Sequence, residues 1–273
     1  MSLLPGPRFL NTVLLGGSTA QKLRAAAAAG FAQVELWRED VQAASPEAVR
    51  TVLDTTGLQL TDLQVLLDFD GAPGALREAK RTEARALLDM AVAVGAGTVL
   101  VPASTDPACE TQQVTADLRW LCARAADRGL RVAYEGMAWS HLHSTVPSAW
   151  QQIQAVAADN LDLVVDAFHL FAAGRSVDDL QGIPADRIAL VQLSDVAAQP
   201  QPGAVKQQAR HARCLPGTGI WPLATLVHRL ASIGYAGPIG LEVFNDTLNA
   251  HDPVGVAEQA MTALEAVLDE RRA

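Results

Sequence analysis

The sequence is poor in cysteine, and none of its three cysteines is spaced for metal binding or redox chemistry. Cys109, Cys122 and Cys214 include no CxxC pair, and an odd number cannot pair completely into disulfides. We therefore expect neither a disulfide framework nor a thiolate zinc site. Such a chain is typical of a reducing compartment, so we expect a cytoplasmic protein.

Long basic runs and long apolar runs are also missing. The 21 basic residues are outnumbered by 30 acidic ones, which gives a net charge of −9, and no Lys/Arg run is present to follow a phosphate backbone. No uninterrupted apolar stretch reaches the roughly 18 residues of a membrane span. The N-terminus "MSLLPGPRFL" lacks the charged and apolar regions of a signal peptide. We therefore expect a small-molecule substrate as partner, and neither nucleic acid nor a membrane.

What the sequence does contain is a regular alternation of short β-rich runs with longer segments of helical periodicity. Strands are predicted at 10–15, 32–37, 58–65, 97–103, 130–135, 161–166, 187–193 and 238–244. Helices are predicted at 19–29, 46–56, 74–94, 111–128, 146–158, 222–233 and 254–270, with a shorter one at 177–181.

Near-continuous apolar strands separated by helices are typical of parallel strands buried on both faces. Eight such units predict an α/β fold, a (β/α)8 TIM barrel formed as a single domain over residues 1–273. An open doubly wound sheet is the alternative, but no GxGxxG motif follows the first strand.

The last four predicted strands carry polar side chains at their ends: Glu135, Asp166, Gln192 and Glu242. Because consecutive strands of a barrel are neighbours, these side chains can point into one mouth. Three carboxylates that close would repel one another unless a cation neutralises them. An all-oxygen set suits Mg²⁺ or Mn²⁺ best, with Co²⁺ or Zn²⁺ as alternatives. A single acidic residue at the end of a strand is more often a surface group, but polar residues at the ends of four consecutive strands favour a metal site.

A metal site also accounts for a buried Gln192, whose amide needs partners at both ends. Its carbonyl oxygen can face the ion while its NH₂ group bonds a neighbouring carboxylate. His169 follows Asp166 by three residues and could be a general base or support a ligand. Glu35 ends the second predicted strand and is expected to face the same mouth, although a salt bridge within the barrel is equally compatible.

The connection from 196 to 219 is far longer than the usual loop and follows the seventh strand, where a barrel enzyme builds its active site. Its motif "RHARC" supplies Arg210, His211 and Arg213, of which an arginine can hold a substrate carboxylate or phosphate. Solvated loop charges are the alternative.

Three weaker features favour structural roles. The segment "PGTG" (216–219) is better explained as a turn than as a phosphate cradle. Core packing is the simpler explanation for Tyr134 and Trp139, and a loop position the simpler one for His141 and His143.

Six segments together resemble the xylose isomerase-like TIM barrels, a superfamily of sugar isomerases and epimerases, inosose dehydratases and AP endonuclease-type proteins. They are "GFAQVELW", "YEGMAW", "VVDAFH", "VQLSD", "RHARCLPGTG" and "GYAGPIGLEVFND", within residues 10–252. Gln192, where many relatives have His, together with "RHARC", "PGTG" and "EVFND", makes the sequence most similar to the bacterial 3-dehydroshikimate dehydratases.

That resemblance implies a divalent metal on Glu135, Asp166, Gln192 and Glu242, with His169 as the catalytic base and Arg213 on the substrate carboxylate. The implied reaction is the dehydration of 3-dehydroshikimate to protocatechuate, through a metal-polarised carbonyl and removal of the adjacent proton. Related sugar or keto-polyol isomerases and epimerases begin with the same step. In them, Glu135 and Glu242 would handle the proton.

The sequence departs from the dehydratases in two places. Leu67, in "VLLDFDG", stands where they carry an arginine in a "PFRDFEG"-like segment, and the loop "WSHLHST" also differs. Leu67 favours the isomerase alternative, whereas Gln192 and the arginine loop favour the dehydratase. Some dehydratases have an additional C-terminal dioxygenase-like domain, for which we expect no room in 273 residues.

Two further classes are disfavoured. An AP endonuclease requires more histidine ligands and a basic face than six histidines and a charge of −9 provide. A non-catalytic barrel would not need the intact set of four ligands. No patch in the sequence decides between a monomer and a homo-oligomer paired through its outer helices.

Overall fold

The computed structural model describes residues 2–269, and its central feature is a closed barrel of eight parallel strands in chain order. The strands are β1 (Arg8–Asn11), β2 (Gln33–Trp37), β3 (Gln59–Gln64), β4 (Thr98–Pro102), β5 (Arg131–Glu135), β6 (Leu161–Asp166), β7 (Ile188–Leu193) and β8 (Ile239–Leu241). Strand β1 pairs in parallel with both β2 and β8, so the sheet closes on itself. This confirms the predicted TIM barrel and excludes the open doubly wound sheet.

Helices surround the barrel. They are α1 (Thr19–Ala28), α2 (Arg38–Ala44), α3 (Pro46–Thr56), α4 (Arg77–Val94), α5 (Val114–Ala126), α6 (Val146–Val156), α7 (Ala167–Ala172), α8 (Val205–His211), α9 (Leu223–Ser232), α10 (Asp246–Asn249) and α11 (Pro253–Leu268). The predicted end of the last helix, residue 270, lies outside the described residues. Within residues 2–269, no helix combines the length and the apolar character needed to cross a membrane.

The first strand begins and ends earlier than the predicted range of 10–15. It stops at Asn11, and a 3-10 turn follows at Thr12–Leu14. The Asn11 side chain accepts a hydrogen bond from the Val13 backbone N–H at 3.1 Å and so holds this turn. The apolar residues after Asn11 are therefore buried in a turn rather than in the sheet. This shift makes Asn11 the last residue of β1.

The sequence periodicity does not predict the short helices α2, α7, α8 and α10, which follow strands at the carboxyl end of the barrel. Each has seven residues or fewer, too short for a repeating apolar pattern to show. Helix α8 is the most consequential of them, because it interrupts the connection at 196–219 that was expected to be irregular. The run "VKQQARH" is rich in good helix formers.

Local capping signals explain where the longer helices begin and end. Ser18 and Gln21 form a capping box at the start of α1, and Ser45 with Pro46 begins α3. Gly57 ends α3 in the left-handed conformation, with φ at 74°, where glycine has no side-chain penalty. The bounds of α3 match the predicted range of 46–56.

Inside the barrel, a polar layer lies above an apolar one. Six buried apolar side chains form the lower cluster: Phe9, Val65, Leu100, Ala133, Val164 and Leu190. Because side chains alternate between the two faces of a strand, a residue two positions further along points inward as well. After Phe9, Ala133, Val164 and Leu190, those positions hold Asn11, Glu135, Asp166 and Gln192. The polar layer thus lies at the carboxyl ends of the strands, where barrel active sites form.

Candidate active site

The four predicted ligands come from neighbouring strands at this end of the barrel. Glu135 ends β5, Asp166 ends β6, Gln192 lies in β7 and Glu242 directly follows β8. Asp166 and Gln192 are register partners, so their side chains start from adjacent backbone positions. All four side chains are buried.

Arg213 lies between two of these carboxylates. Its Nη1 donates to Asp166 Oδ2 at 3.0 Å and lies 3.1 Å from Glu242 Oε2. Its Nε donates to the Ala209 carbonyl at 3.0 Å, and its guanidinium carbon lies 4.5 Å from the centre of the Phe168 ring. Only 2% of Arg213 is exposed, so its charge acts mainly on the buried carboxylates.

Burial raises the pKa values of these carboxyl groups. The pKa of Glu242 rises to about 7, because burial and the nearby Asp166 charge outweigh the stabilising charge of Arg213. Burial also raises the pKa of Glu135 well above its usual range, and the charges of Glu242 and Asp166 add to the rise. A bound divalent cation would favour the charged forms, so ions and protons compete for these oxygens.

His169 lies beside the carboxylates in a defined tautomer. Its Nδ1 accepts a hydrogen bond from the Ala138 backbone N–H at 3.1 Å, which places the proton of the neutral ring on Nε2. That Nε2 lies 3.6 Å from Glu135 Oε1 and from Asp166 Oδ2. Burial, with the nearby positive charge of Arg213, lowers the pKa of His169 well below its usual value, so the ring is neutral at neutral pH. To accept a proton at Nε2, His169 would need the other tautomer, in which Nδ1 carries the proton.

The donor set fits a divalent cation. Gln192 Nε2 donates to Glu35 Oε1 at 2.9 Å, which turns Gln192 Oε1 the opposite way. Neither this oxygen nor Glu135 Oε1 has a hydrogen-bond partner within the described part of the chain, although both are buried. Buried acceptors without donors are what a cation satisfies. Ligand atoms of Glu135, Asp166 and His169 also lie within 4.8 Å of one another, so His169 is close enough to join the set.

Glu35 faces the barrel interior, as expected, but it does not open to the mouth. It is completely buried behind Gln192, where substrate would not reach it. No cation pairs with Glu35 among the described residues, so the salt-bridge alternative also fails. Burial raises the pKa of Glu35 well above its usual range, and the charges of Asp62 and Glu242 raise it further.

Three polar residues of this inner layer were missed at the level of the sequence. Asn11 falls inside the predicted strand at 10–15, and Asp62 and Gln64 fall inside the predicted strand at 58–65. All three are buried. Their position along a strand could have revealed such residues: Asn11, for example, follows the inward-facing Phe9 by two residues and therefore points inward as well. Burial, with the charge of Glu242 adding, raises the pKa of Asp62 to about 8.

The "RHARC" motif separates into three different environments. Arg213 is buried at the floor of the cavity, and Arg210 lines the same cavity, with its guanidinium carbon 5.4 Å from the centre of the Phe244 ring. His211 points elsewhere: its Nδ1 lies 3.0 Å from Asp246 Oδ2, and the pair is largely exposed. Of the three, Arg210 is the one with both access to the cavity and no hydrogen-bond partner among residues 2–269.

The cavity itself has a polar floor and apolar walls. Its walls include Trp37, Leu67, Trp139 and Phe244. Trp139 contacts His169 edge to face, with ring centres 4.9 Å apart. A larger groove on the outer surface, between α9 and α11, lies away from the strand ends that carry the carboxylates.

Among the weaker candidates, Trp139 lines the cavity instead of packing in the core, whereas the others have structural positions. His143 packs against Tyr134 at 6.1 Å between ring centres, and neither His141 nor His143 lines the cavity. The Tyr134 hydroxyl donates to Asp70 Oδ2 at 2.6 Å in the core. Residues 216–219 form a turn before α9.

Comparison with known proteins identifies close relatives. A family model described as xylose isomerase-like TIM barrel matches residues 23–267. A 3-dehydroshikimate dehydratase from Pseudomonas aeruginosa is 34% identical over 247 residues, which cover 89% of this chain and 39% of that protein. A putative hydroxypyruvate isomerase from Streptomyces coelicolor is 30% identical over 245 residues, which cover 80% of this chain and 82% of that protein.

A solved structure is also similar to this chain over nearly its whole length. A xylose isomerase-like TIM barrel/4-hydroxyphenylpyruvate dioxygenase fusion protein has a TM-score of 0.91 and 30% sequence identity, covering 96% of this chain and 42% of that chain. The chain therefore spans well under half the length of the dehydratase and of the fusion protein that it matches.

Proposed function

Because the chain belongs to the xylose isomerase-like TIM barrel family, we propose that it is a divalent-metal-dependent dehydratase of a cyclic hydroxy-keto acid. The substrate that fits best is 3-dehydroshikimate, with protocatechuate as product, since this is the activity of the relative from Pseudomonas aeruginosa. The observation that carries the proposal is the pair of buried, unpartnered oxygens, Glu135 Oε1 and Gln192 Oε1, in the described residues of the barrel mouth.

The metal would be held by Glu135, Asp166, Gln192 and Glu242. Their oxygens favour Mg²⁺ or Mn²⁺, with Co²⁺ and Zn²⁺ as alternatives. When bound, such an ion polarises a substrate carbonyl and so acidifies the adjacent C–H bond.

Two side chains beside this site can then assist the elimination. Glu135 would hold the ion through Oε1, and we assign its second oxygen, Oε2, the proton that leaves carbon, because Glu135 also lines the cavity. His169 holds its proton on Nε2, because Nδ1 accepts from Ala138, so the neutral ring can donate a hydrogen bond to the departing hydroxyl, which leaves as water with the proton that Glu135 took from carbon. The tautomer thus gives His169 the role of hydrogen-bond donor rather than the role of base that the resemblance implies.

Arg210 is our choice for the substrate carboxylate. Arg213 already uses Nε and Nη1 to donate to Ala209, to Asp166 and to the backbone of Glu242, so only its Nη2 is left for a ligand. Arg210 lines the cavity and carries an unpaired charge among residues 2–269. It could therefore replace the arginine expected at Leu67, because a guanidinium binds a carboxylate through two parallel hydrogen bonds.

A sugar or keto-polyol isomerase is the second candidate. The chain covers most of a putative hydroxypyruvate isomerase at 30% identity, whereas it covers 39% of the dehydratase. Leu67 in the cavity wall also suits a neutral substrate better than a carboxylate. The shared enolate-type first step makes the two reactions compatible with one arrangement of ligands.

The test is direct. Metal-free protein is mixed with Mg²⁺ or Mn²⁺ and 3-dehydroshikimate, and protocatechuate is followed by its ultraviolet absorbance and identified by mass spectrometry. Metal-dependent product that EDTA abolishes is the expected result. No product from protein that binds the ion would reject the dehydratase and move the search to a panel of ketoses and keto-polyols.

A further inference from the structure

A chain of hydrogen bonds inside the barrel connects two of the proposed metal ligands to residues beneath the site. Gln192 Nε2 donates to Glu35 Oε1 at 2.9 Å and to Oε2 at 3.1 Å. Asn11 Nδ2 donates to Glu35 Oε2 at 3.2 Å and to Glu242 Oε1 at 3.1 Å. Asn11, Glu35 and Gln192 are completely buried. Strands β1 and β2 therefore contact the ligands supplied by β7 and β8.

We propose that Asn11 and Glu35 are positioning residues that decide which atoms of Gln192 and Glu242 face the metal. The inference rests on the proposed metal site, but it assigns a role to residues that would touch neither metal nor substrate. It also replaces the expected role of Glu35 in substrate binding.

The orientation of Gln192 is the first part of the argument. Its two amide ends have similar shapes but opposite chemistry, and only the carbonyl oxygen can bind a cation. Both Glu35 oxygens act as acceptors towards Gln192 Nε2, at 2.9 and 3.1 Å, so Glu35 selects the NH₂ end of Gln192. The carbonyl oxygen is then left facing the other way, without a partner in the described residues. Glu35 thus presents the correct ligand atom before an ion arrives.

The orientation of Asn11 is fixed in the same manner. Its Oδ1 accepts from the Val13 backbone N–H at 3.1 Å and from Trp37 Nε1 at 2.9 Å. Two donors on one side force the Asn11 NH₂ group towards the other side, where Glu35 and Glu242 lie. The turn after β1 and the indole of Trp37 therefore determine how Asn11 holds Glu242.

Isosteric substitutions test this role without changing the volume of the core. In Glu35→Gln, the side chain can donate as well as accept, so Gln192 is free to turn its NH₂ group towards the site. Asn11→Asp replaces the shared donor with a third carboxylate. Partners that orient metal ligands typically contribute 10- to 100-fold to affinity. We expect a loss of that size for both variants in calorimetric titrations with Mn²⁺ and Co²⁺, and a changed visible spectrum of the Co²⁺ complex.

Asn160 offers a matched control. Its Nδ2 donates to the carbonyls of Cys122 and Leu130 near the opposite end of the barrel. Asn160→Asp is the same chemical change as Asn11→Asp, and we expect it to lower stability while leaving ion affinity and the Co²⁺ spectrum unchanged. Glu135→Gln, which alters a proposed ligand directly, provides the reference for a damaged site.

A double substitution supplies the rescue. In Glu35→Gln/Gln192→Glu, the amide at position 35 can donate to the carboxylate at position 192, which restores the hydrogen bond with reversed polarity. We expect the double variant to bind Mn²⁺ at least tenfold more tightly than Glu35→Gln alone. A double variant that binds no better would overturn the positioning role.

The remaining outcomes separate the two proposals. If the wild-type protein binds Mn²⁺ and Co²⁺ while Glu35→Gln and Asn11→Asp bind them equally well, the positioning role is wrong and the metal site stands. If the wild-type protein binds neither ion, the proposed metal site is wrong, and the positioning role falls with it.

Discussion

The Arg213 guanidinium donates to Asp166 Oδ2 at 3.0 Å, from a loop 47 positions further along the chain. The contact ties the loop after α8 to the end of β6. The same nitrogen, Arg213 Nη1, also lies 3.1 Å from Glu242 Oε2. One buried guanidinium group therefore partly neutralises two of the proposed ligands. Arg213 therefore supports the acidic site through its ion pairs, whereas Arg210 lines the same cavity without an ion pair among residues 2–269.

The first prediction concerns stability. Arg213→Met should lower the free energy of unfolding of the metal-free protein by about 3–5 kcal/mol, because it leaves buried carboxylates without their partner. Added Mn²⁺ should restore more stability to this variant than to the wild type. Urea unfolding with and without Mn²⁺ measures both effects. Arg210→Met is the control, with an expected loss of less than about 1 kcal/mol because the Arg210 side chain forms no ion pair within residues 2–269. Equal losses of stability in the two variants would contradict the role of Arg213 as the partner of the buried carboxylates.

The sequence predicted the fold well where local patterns are strong. The bounds of β6 match the predicted range of 161–166, because an apolar run ends there at an acidic residue. The convergence of Glu135, Asp166, Gln192 and Glu242 followed from the barrel topology alone, since neighbouring strands bring their ends together.

The hydrogen-bond partners inside the site could not be predicted in this manner. Asn11 was hidden in an apolar run, and only the turn that it caps shows that it ends the strand. The contact between Glu35 and Gln192 joins residues 157 positions apart, which no local pattern encodes. The separate environments of Arg210 and Arg213 depend on helix α8, which was too short for its periodicity to be recognised.

Substrate charge is the subject of the second prediction. Arg210→Gln should raise KM for 3-dehydroshikimate about tenfold or more, with a smaller effect on kcat, because a bidentate contact to the carboxylate is lost. The methyl ester of the substrate should show no such change. Lys206→Gln, an exposed substitution on the same helix, is the control. If Arg210→Gln affected acid and ester alike, Arg210 would not be the carboxylate contact.

Leu67 provides a complementary test of the same contact. Leu67 and Arg210 both line the cavity, so an arginine at position 67 could reach the same anion. In the Arg210→Gln background, Leu67→Arg should recover at least part of the lost kcat/KM for the acid. Recovery for the acid without a change for the ester would locate the carboxylate between these positions. An unchanged kcat/KM would place it elsewhere.

The third prediction distinguishes hydrogen bonding to the substrate from metal binding at His169. His169→Leu should lower kcat by about 10²–10³, the usual cost of losing one positioned hydrogen-bond donor. Its affinity for Mn²⁺ should change by less than tenfold, because the four oxygen ligands remain. Calorimetric titration and steady-state kinetics on the same preparation measure the two effects. A collapse of Mn²⁺ affinity would instead make His169 a ligand with Glu135 and Asp166, whose atoms lie within 4.8 Å of it.

The last prediction concerns a carboxyl group away from the metal site. Asp70 accepts from the Tyr134 hydroxyl at 2.6 Å and from the Ser104 backbone N–H at 2.9 Å, and its burial raises its pKa from 3.8 to about 7. The folded protein therefore holds this proton more tightly than the unfolded chain does. The resulting stability is fully present below about pH 4 and is lost as the pH rises through about 7.

Asp70→Asn should remove that dependence, because an amide does not titrate, while it can still accept from Ser104. Between pH 5 and pH 8, the free energy of unfolding of the wild type should fall relative to the variant by about 3 kcal/mol. Urea unfolding across this range measures the difference, with the exposed Asp54→Asn as control. Parallel pH profiles for wild type and Asp70→Asn would show that Asp70 is already ionised in the folded protein at pH 5, and that its two donors outweigh the cost of burial.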